Sequence, residues 1–326
     1  MPDASPFQWP EIEPPLAAFH GELPPAPTWF TAAIAQAPER SMVPVNGANI
    51  EMLTWGERGK PGLILVHGNS AHADWWSFIA PFLALDFRVA AISLAGMGAS
   101  DWRDSYSFET FAAEVHGGAV AAGLYENGQK PVFIGHSFGG GIVFYAATRH
   151  PEWMRAAVLV DTGFGGPPPA AEGFRQPQAR TQPNRVYPTL EAALARFRFM
   201  PPQGCKNPFI ADFIARRSLK RAPLEQGDGE GWTWRFDPFL WGKLDRSLMG
   251  HMIEAGPRVT PMVHIYGEHS AIIRRHSDNP QNRVPDDVHR IVIPDSEHHI
   301  MVDQPLALVS ALRGVLSYWP EGGIAR

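Results

Sequence analysis

The stretch Phe133-Ile134-Gly135-His136-Ser137-Phe138-Gly139-Gly140-Gly141 carries the clearest chemical signal in the chain. The apolar run Val132 to Ile134 enters a Gly-x-Ser-x-Gly pattern, and the alanine- and aromatic-rich segment Ile142 to Thr148 follows it. That order reads as strand, sharp turn, helix, with Ser137 at a strained apex and its hydroxyl pushed out above a sheet. Gly135 and Gly139 lack the Cβ atoms that would clash where strand and helix close on each other. A serine hydroxyl is too weakly acidic to attack a carbonyl unaided, so it needs a base that takes its proton and returns it to the leaving group. The adjacent pair His298-His299 supplies imidazoles, on a loop between the last apolar strand and a helix whose first turn carries Pro305.

Chemistry of this kind requires elements that bring distant strand ends to one edge. Met42 to Val45 and Ile50 to Trp55, joined by Asn46-Gly47, form a hairpin signal. Leu63 to Val66 is a continuous apolar run suited to a strand buried on both faces, ended by His67-Gly68-Asn69-Ser70. Trp75, Trp76, Ile79 and Phe82 follow at helical spacing. Arg88 to Leu94, Pro131 to Gly135 and Ala156 to Asp161 read as further strands, with helices at Phe108 to Leu124 and Ile142 to Thr148. Such alternation implies an α/β fold, a mostly parallel doubly wound sheet with helices on both faces.

After Asp161 the rhythm breaks. Gly165-Gly166-Pro167-Pro168-Pro169 opens a stretch with helical patches at Leu190 to Phe199 and Phe209 to Leu219, and irregular segments such as Glu230 to Phe236. No buried strand interrupts it, so it reads as a mainly helical cap inserted after the sixth strand. The strand pattern resumes at Met262 to Gly267, Val284 to His289 and Arg290 to Ile293, before a helix from Pro305 to Trp319. The expected organisation is a Pro-rich arm over 1–40, a core over 41–164 and 256–326, and the cap over 165–255. Proline removes backbone donors from the arm, while Trp9, Trp29 and Phe30 give it anchors to the body or to a partner subunit. Arm and cap are thus the surfaces expected to serve a homodimer.

A formal net charge of -5 without a long basic run gives no footprint for nucleic acid. One cysteine, Cys205, excludes an intramolecular disulfide and a cysteine-based metal site. The start of the chain has neither a basic nor an apolar signal region, and no apolar run approaches the length of a membrane span, so a cytoplasmic protein without a membrane partner is expected. The histidines form no His-Glu-x-x-His pattern and the glycine-rich segments lack a following Lys-Ser or Lys-Thr, so neither a metal nor any other cofactor is expected. His72, His116, His264 and His269 are assigned to packing or surface.

Four signatures in order resemble the α/β-hydrolase superfamily from about residue 43 onward: His67-Gly68, Gly96-Met97-Gly98-Ala99-Ser100, Gly135-His136-Ser137-Phe138-Gly139, and His298 with Asp303-Gln304-Pro305. The cap matches only in type and the arm not at all. Ser93 and Met97 stand where the family often has Asp and His, both structural positions. The resemblance implies Ser137 as nucleophile and His298 as base, because the family's spacing to the acidic residue and proline fits His298 better than His299. Most members place the acid where Ser270 stands in Gly267-Glu268-His269-Ser270. Asp161 is then the favoured acid, since certain dehalogenases and lipases supply theirs from the end of that strand, although many relatives carry a merely structural Asp there. Glu268, Asp278 and a Ser/His dyad are the alternatives. The implied oxyanion donors are the N–H groups of Phe138 and Asn69, with a turn role as the other reading of Asn69. His67-Gly68-Asn69 also resembles the halide-binding loop of haloalkane dehalogenases, but those need an aspartate nucleophile, whereas Ser137 fits acyl transfer.

Aromatic and apolar residues crowd the cap, and Phe199, Met200, Trp232, Trp234 and Phe236 are the candidate substrate contacts, although each also suits the cap's own core. Such a lid suits a hydrophobic, ring-containing small molecule. Arg216, Arg217, Lys220 and Arg221 suit either a substrate carboxylate or, better, a solvated helix face. The leading expectation is a carboxylic-ester or lactone hydrolase working through an acyl-enzyme. Hydrolysis of a carbon–carbon bond in a diketone or dienoate ranks second. A ligand receptor without turnover, suggested only by Ser270, ranks third.

Overall fold

The computed structural model describes residues 11–163, 180–224, 226, 228–245, 247, 259–277, 284 and 286–319. In chain order the elements are α1 (Thr28–Ile34), β1 (Glu39–Val45), β2 (Ala48–Trp55), β3 (Gly62–Val66), α2 (Ala80–Leu83), β4 (Arg88–Ile92), α3 (Phe108–Ala121), β5 (Val132–His136), α4 (Phe138–Arg149) and β6 (Ala156–Val160). There follow α5 (Leu190–Leu194), α6 (Pro208–Arg217), β7 (Leu219–Pro223), β8 (Glu230–Trp234), α7 (Leu240–Lys243), β9 (Met262–Gly267), α8 (Ala271–Ser277), β10 (His289–Ile293), α9 (Ile300–Asp303) and α10 (Pro305–Tyr318).

Eight strands form one sheet in the order β1-β2-β4-β3-β5-β6-β9-β10. The β1–β2 and β2–β4 pairs are antiparallel and all the others parallel, as the hairpin signal and the later alternation require. The sheet is coated on both faces, and β3 shows why its apolar run is continuous. Leu63 and Leu65 enter the core shared with Trp76, Ile79, Leu308 and Leu312. Ile64 and Val66, on the opposite face, enter the core shared with Phe111, Val115, Ile142 and Phe144. Alternate side chains of a strand point to opposite faces, so a strand between two helical layers has no polar side. Each aliphatic side chain buried in this way contributes about 1.5–3 kcal/mol relative to exposure.

Within this sheet the strands from β3 onward run in one direction, so the loops after β3, β5, β6, β9 and β10 gather at a single edge. The ladder extends right up to that edge: the N–H of Ser137 donates to Val160 O at 2.9 Å and that of Asp161 to Ile265 O at 2.7 Å.

Between β6 and β9 the described part of the insertion is less helical than its sequence suggests. Residues 230–234, expected to be irregular, form β8, paired antiparallel with β7. The period-two alternation of Trp232, Thr233 and Trp234 is the signal for it, with Thr233 buried and the tryptophans half-buried on the other face. The helical patch at Leu190 to Phe199 stops at Leu194, and Phe197 and Phe199 are buried beyond the helix end. Gly165 to Pro169 and Trp9 lie outside the described residues.

Among its described residues the proline-rich arm forms the helix α1 despite its composition. Phe30, 3% exposed, meets Phe78 of the core at 5.9 Å and Phe209 and Phe213 of α6 at 4.8 and 5.7 Å between ring centroids. The arm therefore binds core and insertion together. Among the described residues no helix is long and apolar enough to cross a membrane.

Candidate active site

Ser137 lies between the last residue of β5 and the first of α4, with φ 53° and ψ -116°. This is a strained conformation for a residue with a Cβ, held by the elements on either side. The surrounding glycines are required by contact: a Cβ on Gly135 would lie 2.4 Å from Gly139 O, and one on Gly139 would lie 2.3 Å from His67 O. The expectation for this turn therefore rests on atoms that cannot be accommodated otherwise.

The loop after β10 carries His298 to the same edge, and its Nε2 lies 2.9 Å from Ser137 Oγ. On the far side of the ring, Nδ1–H donates to Asp161 Oδ1 at 2.7 Å. Asp161 itself is fully buried and turns off β6 with φ 46°. The hydroxyl of Ser270 donates to the same Oδ1 at 2.6 Å, and the Gly267 N–H to Oδ2 at 2.8 Å. Thus Ser270, standing where a carboxylate is usual, becomes a donor that anchors the carboxylate reaching in from the neighbouring strand end.

The loop after β3 passes over the serine: a Cβ on Gly68 would lie 3.4 Å from Ser137 Cβ and 3.0 Å from His136 Nδ1. Asn69 follows at once, exposed, and its N–H donates to no acceptor among the described residues. Phe138 opens α4, so its N–H belongs to the first turn, which has no intrahelical acceptor. The Phe138 N–H thus adjoins Ser137 at the start of α4, and Asn69 follows directly on the Gly68 contact with the serine.

A family model described as the alpha/beta hydrolase family matches residues 63–312. The chain belongs to this family. Among curated relatives of this α/β hydrolase, a serine hydrolase-like protein of Danio rerio is 28% identical over 63% of this chain and 64% of its own length. Lipase LipV of Mycobacterium tuberculosis is 28% identical over 47% of this chain and 51% of its own. An esterase of the same bacterium is 24% identical over 83% of this chain and 88% of its own. The chain thus spans from half to just under two thirds of the first two relatives. Among solved structures, the thioesterase domain from the curacin biosynthetic pathway superposes with a TM-score of 0.65 at 23% identity, over 85% of this chain and 99% of that domain. That likeness concerns the fold.

The other candidates for base and acid stand away from the serine of this α/β hydrolase. His299 Nδ1–H donates to Gln203 Oε1 at 2.6 Å, and its ring rests between Phe199 and Trp75, with centroids at 5.1 and 5.5 Å. Glu268 is about half exposed and accepts the N–H of Asp295, so it is not the partner of His298. Asp278 lies outside the described residues.

Burial decides the protonation of the neighbouring rings. Desolvation pushes His136 and His299 well below the ordinary imidazole range, with the nearby His298 ring adding to the effect. His67 is brought down to about 3 by burial, and its neutral ring accepts from the Leu94 N–H while Nδ1–H donates to Gly68 O. These imidazoles act as structural hydrogen-bonding groups. Among the described residues no group of three or more His, Cys, Asp or Glu could hold a metal ion.

The proposed substrate contacts separate into distinct groups. Phe236 joins Trp241, Phe138, Phe108 and Phe111 in one apolar cluster, and Trp241 stands 5.7 Å from the Phe138 ring. Phe199 is buried beside His299. Trp232 and Trp234 instead pack within the insertion, the first beneath Arg221 and the second against Tyr187 and Phe197. Met200 is 66% exposed, so its assignment to a substrate wall is corrected. Trp241, not singled out as a contact from sequence, is the insertion residue with the clearest approach to the serine turn.

The four cations do not form one solvated helix face. Arg216 is bound to Asp212 and Gly21 O, Arg217 lies 3.3 Å from Asp74, and Lys220 and Arg221, on β7, lie over Trp102 and Trp232. Arg217 and Ser218, which meets His72 Nε2 at 2.9 Å, join the end of α6 to the core.

Proposed function

We propose that this chain is a serine hydrolase of carboxylic esters or lactones of hydrophobic small molecules, acting through an acyl-enzyme. One observation carries the reading: the unbroken relay from Ser137 Oγ to His298 Nε2 at 2.9 Å and from His298 Nδ1 to Asp161 Oδ1 at 2.7 Å. In this mechanism Ser137 Oγ attacks the acyl carbon as its proton passes to His298 Nε2. The N–H groups of Phe138 and Asn69 stabilise the oxyanion, and Asp161 stabilises the imidazolium. His298 then protonates the departing alcohol. A water molecule repeats the sequence on the acyl-enzyme, releasing the acid and restoring the serine. The names of the mycobacterial esterase and lipase support ester chemistry.

The insertion over residues 165–255 acts here as a cap, with Trp241 beside Phe138, and Phe236 in the same apolar cluster, as an apolar wall for the acyl or alcohol group. The receptor reading loses its ground, because the carboxylate missing at 270 is replaced by Asp161.

A fluorophosphonate tests the reading directly: Ser137 is expected to be modified in the folded protein, and pretreatment to abolish hydrolysis of aryl esters and lactones. Absence of labelling in folded protein overturns the hydrolase reading. Turnover of a dienoate ketone but of no ester or lactone replaces it with the carbon–carbon alternative.

Ser270 tunes this relay. Ser270→Ala deletes one donor to Asp161 Oδ1 and leaves more negative charge facing His298. Turnover of an aryl ester is expected to fall by about tenfold, the scale of one charge-assisted hydrogen bond. A kcat equal to that of the wild type refutes this role.

A further inference from the structure

The peptide group that follows His298 is held at both ends. Its carbonyl oxygen accepts from His136 Nε2–H at 3.1 Å, a contact from the residue preceding Ser137. Its N–H, that of His299, donates to Gln203 Oε1 at 2.8 Å, a contact from the insertion. The same Oε1 accepts His299 Nδ1–H at 2.6 Å. At the other end of the Gln203 amide, Nε2 donates to Asp303 Oδ2 at 3.0 Å, and that carboxylate oxygen also receives the N–H of Glu297 at 2.8 Å. One side chain, 3% exposed, therefore ties down both neighbours of His298: His299 directly and Glu297 through Asp303.

Only an amide satisfies this site. His299 offers two donors, and Asp303 offers an acceptor, so the bridging group must accept at one end and donate at the other. An apolar residue would leave buried groups unpaired, and a carboxylate would face Asp303, whose own carboxyl burial already pushes up to about 6 against the opposing pull of the Glu297 N–H. The grip extends along the same segment of the insertion. Asn207 Nδ2 donates to Val302 O at 2.8 Å, and Lys206 pairs with Asp295.

We propose that Gln203 is a positioning residue for the base: it fixes the backbone on both sides of His298 and makes the imidazole's placement against Ser137 depend on the insertion being seated on the sheet. This rests on the serine-hydrolase reading. A displacement of about 1 Å in a reacting group costs on the order of 10²-fold in rate, and freeing the 297–299 backbone allows a displacement of that order. The insertion then has two roles, forming the apolar wall and completing the catalytic geometry.

The test uses the full chain, an aryl ester and a fluorophosphonate, with wild type, Gln203→Leu, Gln203→Glu and the double variant Gln203→Glu/Asp303→Asn. The double variant exchanges amide and carboxylate: the acceptor toward His299 remains, the 203–303 bond is kept with donor and acceptor reversed, and the charge is unchanged, but the atom that then donates to residue 203 no longer accepts the Glu297 N–H. Both single variants are expected to lower kcat and the labelling rate of Ser137 by roughly 10–100-fold, with KM almost unchanged, and the double variant to recover part of the loss through the links it keeps. Single variants that label at the wild-type rate, or a folded double variant that recovers nothing, overturn the proposal. If wild type labels and turns over and the Gln203 variants match it, only the positioning role fails. If wild type does not label, the hydrolase reading fails and the positioning role with it.

Discussion

Ser137→Ala is expected to lower kcat for ester hydrolysis by about 10⁵–10⁶-fold, the scale on which loss of a triad nucleophile acts, while leaving KM and the fold nearly intact. The size follows from what remains. Without Oγ the imidazole of His298 has no serine proton to take, and a water molecule must enter a turn whose geometry is built around a covalent nucleophile. The backbone donors proposed for the oxyanion remain in place, so a residual rate above that in water is expected to persist. The substitution is mild for the structure, since the strained φ of 53° at position 137 is imposed by the flanking glycines and by the N–H bond to Val160 O. Steady-state kinetics with an aryl ester, after exhaustive purification, measures it. A variant that keeps more than about a hundredth of the wild-type rate would place the nucleophile elsewhere.

Asp161→Asn is expected to cost about 10⁴-fold in kcat, the scale of the same change in the template triad. The amide has two orientations, and both fail. With its oxygen toward the Gly267 N–H, its NH₂ faces His298 Nδ1, so Nδ1 must accept, the ring proton sits on Nε2, and the serine proton has nowhere to go. With its oxygen toward His298, the NH₂ opposes the Gly267 N–H at a contact now 2.8 Å long, and a buried donor meets a donor. Glu268→Gln changes a half-exposed residue bonded to Asp295 N and is expected to leave turnover unaltered. The reverse pair of results refutes the assignment of the acid. Adding Ser270→Asp to Asp161→Asn returns a carboxylate to the same pocket, because Ser270 Oγ already stands 2.6 Å from Asp161 Oδ1. Partial recovery of kcat is the expected outcome.

Much of the sheet could be read directly from residues 42–66, 88–94 and 131–161, because a strand covered by helices on both faces leaves a continuous apolar run and a parallel crossover leaves a helix between two such runs. The irregular part was harder. Residues 230–234 were expected to be irregular although Trp-Thr-Trp alternates, because a half-buried hairpin in an aromatic-rich insertion shares its composition with loop and core alike. Phe199 lies against His299 and Phe236 joins the apolar cluster that holds Phe138, whereas Met200 faces solvent and Trp232 lies under Arg221. Which way an aromatic turns depends on its partners, and those lie outside its own segment.

The serine turn is local. Five consecutive residues between an apolar strand and a helix mark it, since a Cβ on Gly135 would meet Gly139 O and one on Gly139 would meet His67 O at the end of β3, at distances no side chain permits. For that reason Ser137 was legible from the chain alone as the candidate nucleophile, and the spacing to Asp303 and Pro305 pointed to His298 as the candidate base. The acid was narrowed to Asp161 with Glu268 and others still open, because a carboxylate that ends a buried strand can be structural or functional with no difference in its neighbours. Which carboxylate meets His298 is set by the tertiary fold, which brings β6, β9 and the loop after β10 together and turns Asp161 toward His298, 137 residues away in sequence. The grip of Gln203 on His299 across 96 residues left no trace in either segment. Short-range sterics are written in neighbouring residues, whereas hydrogen-bond partners separated by whole elements are set only when the sheet order and the seat of the insertion are in place.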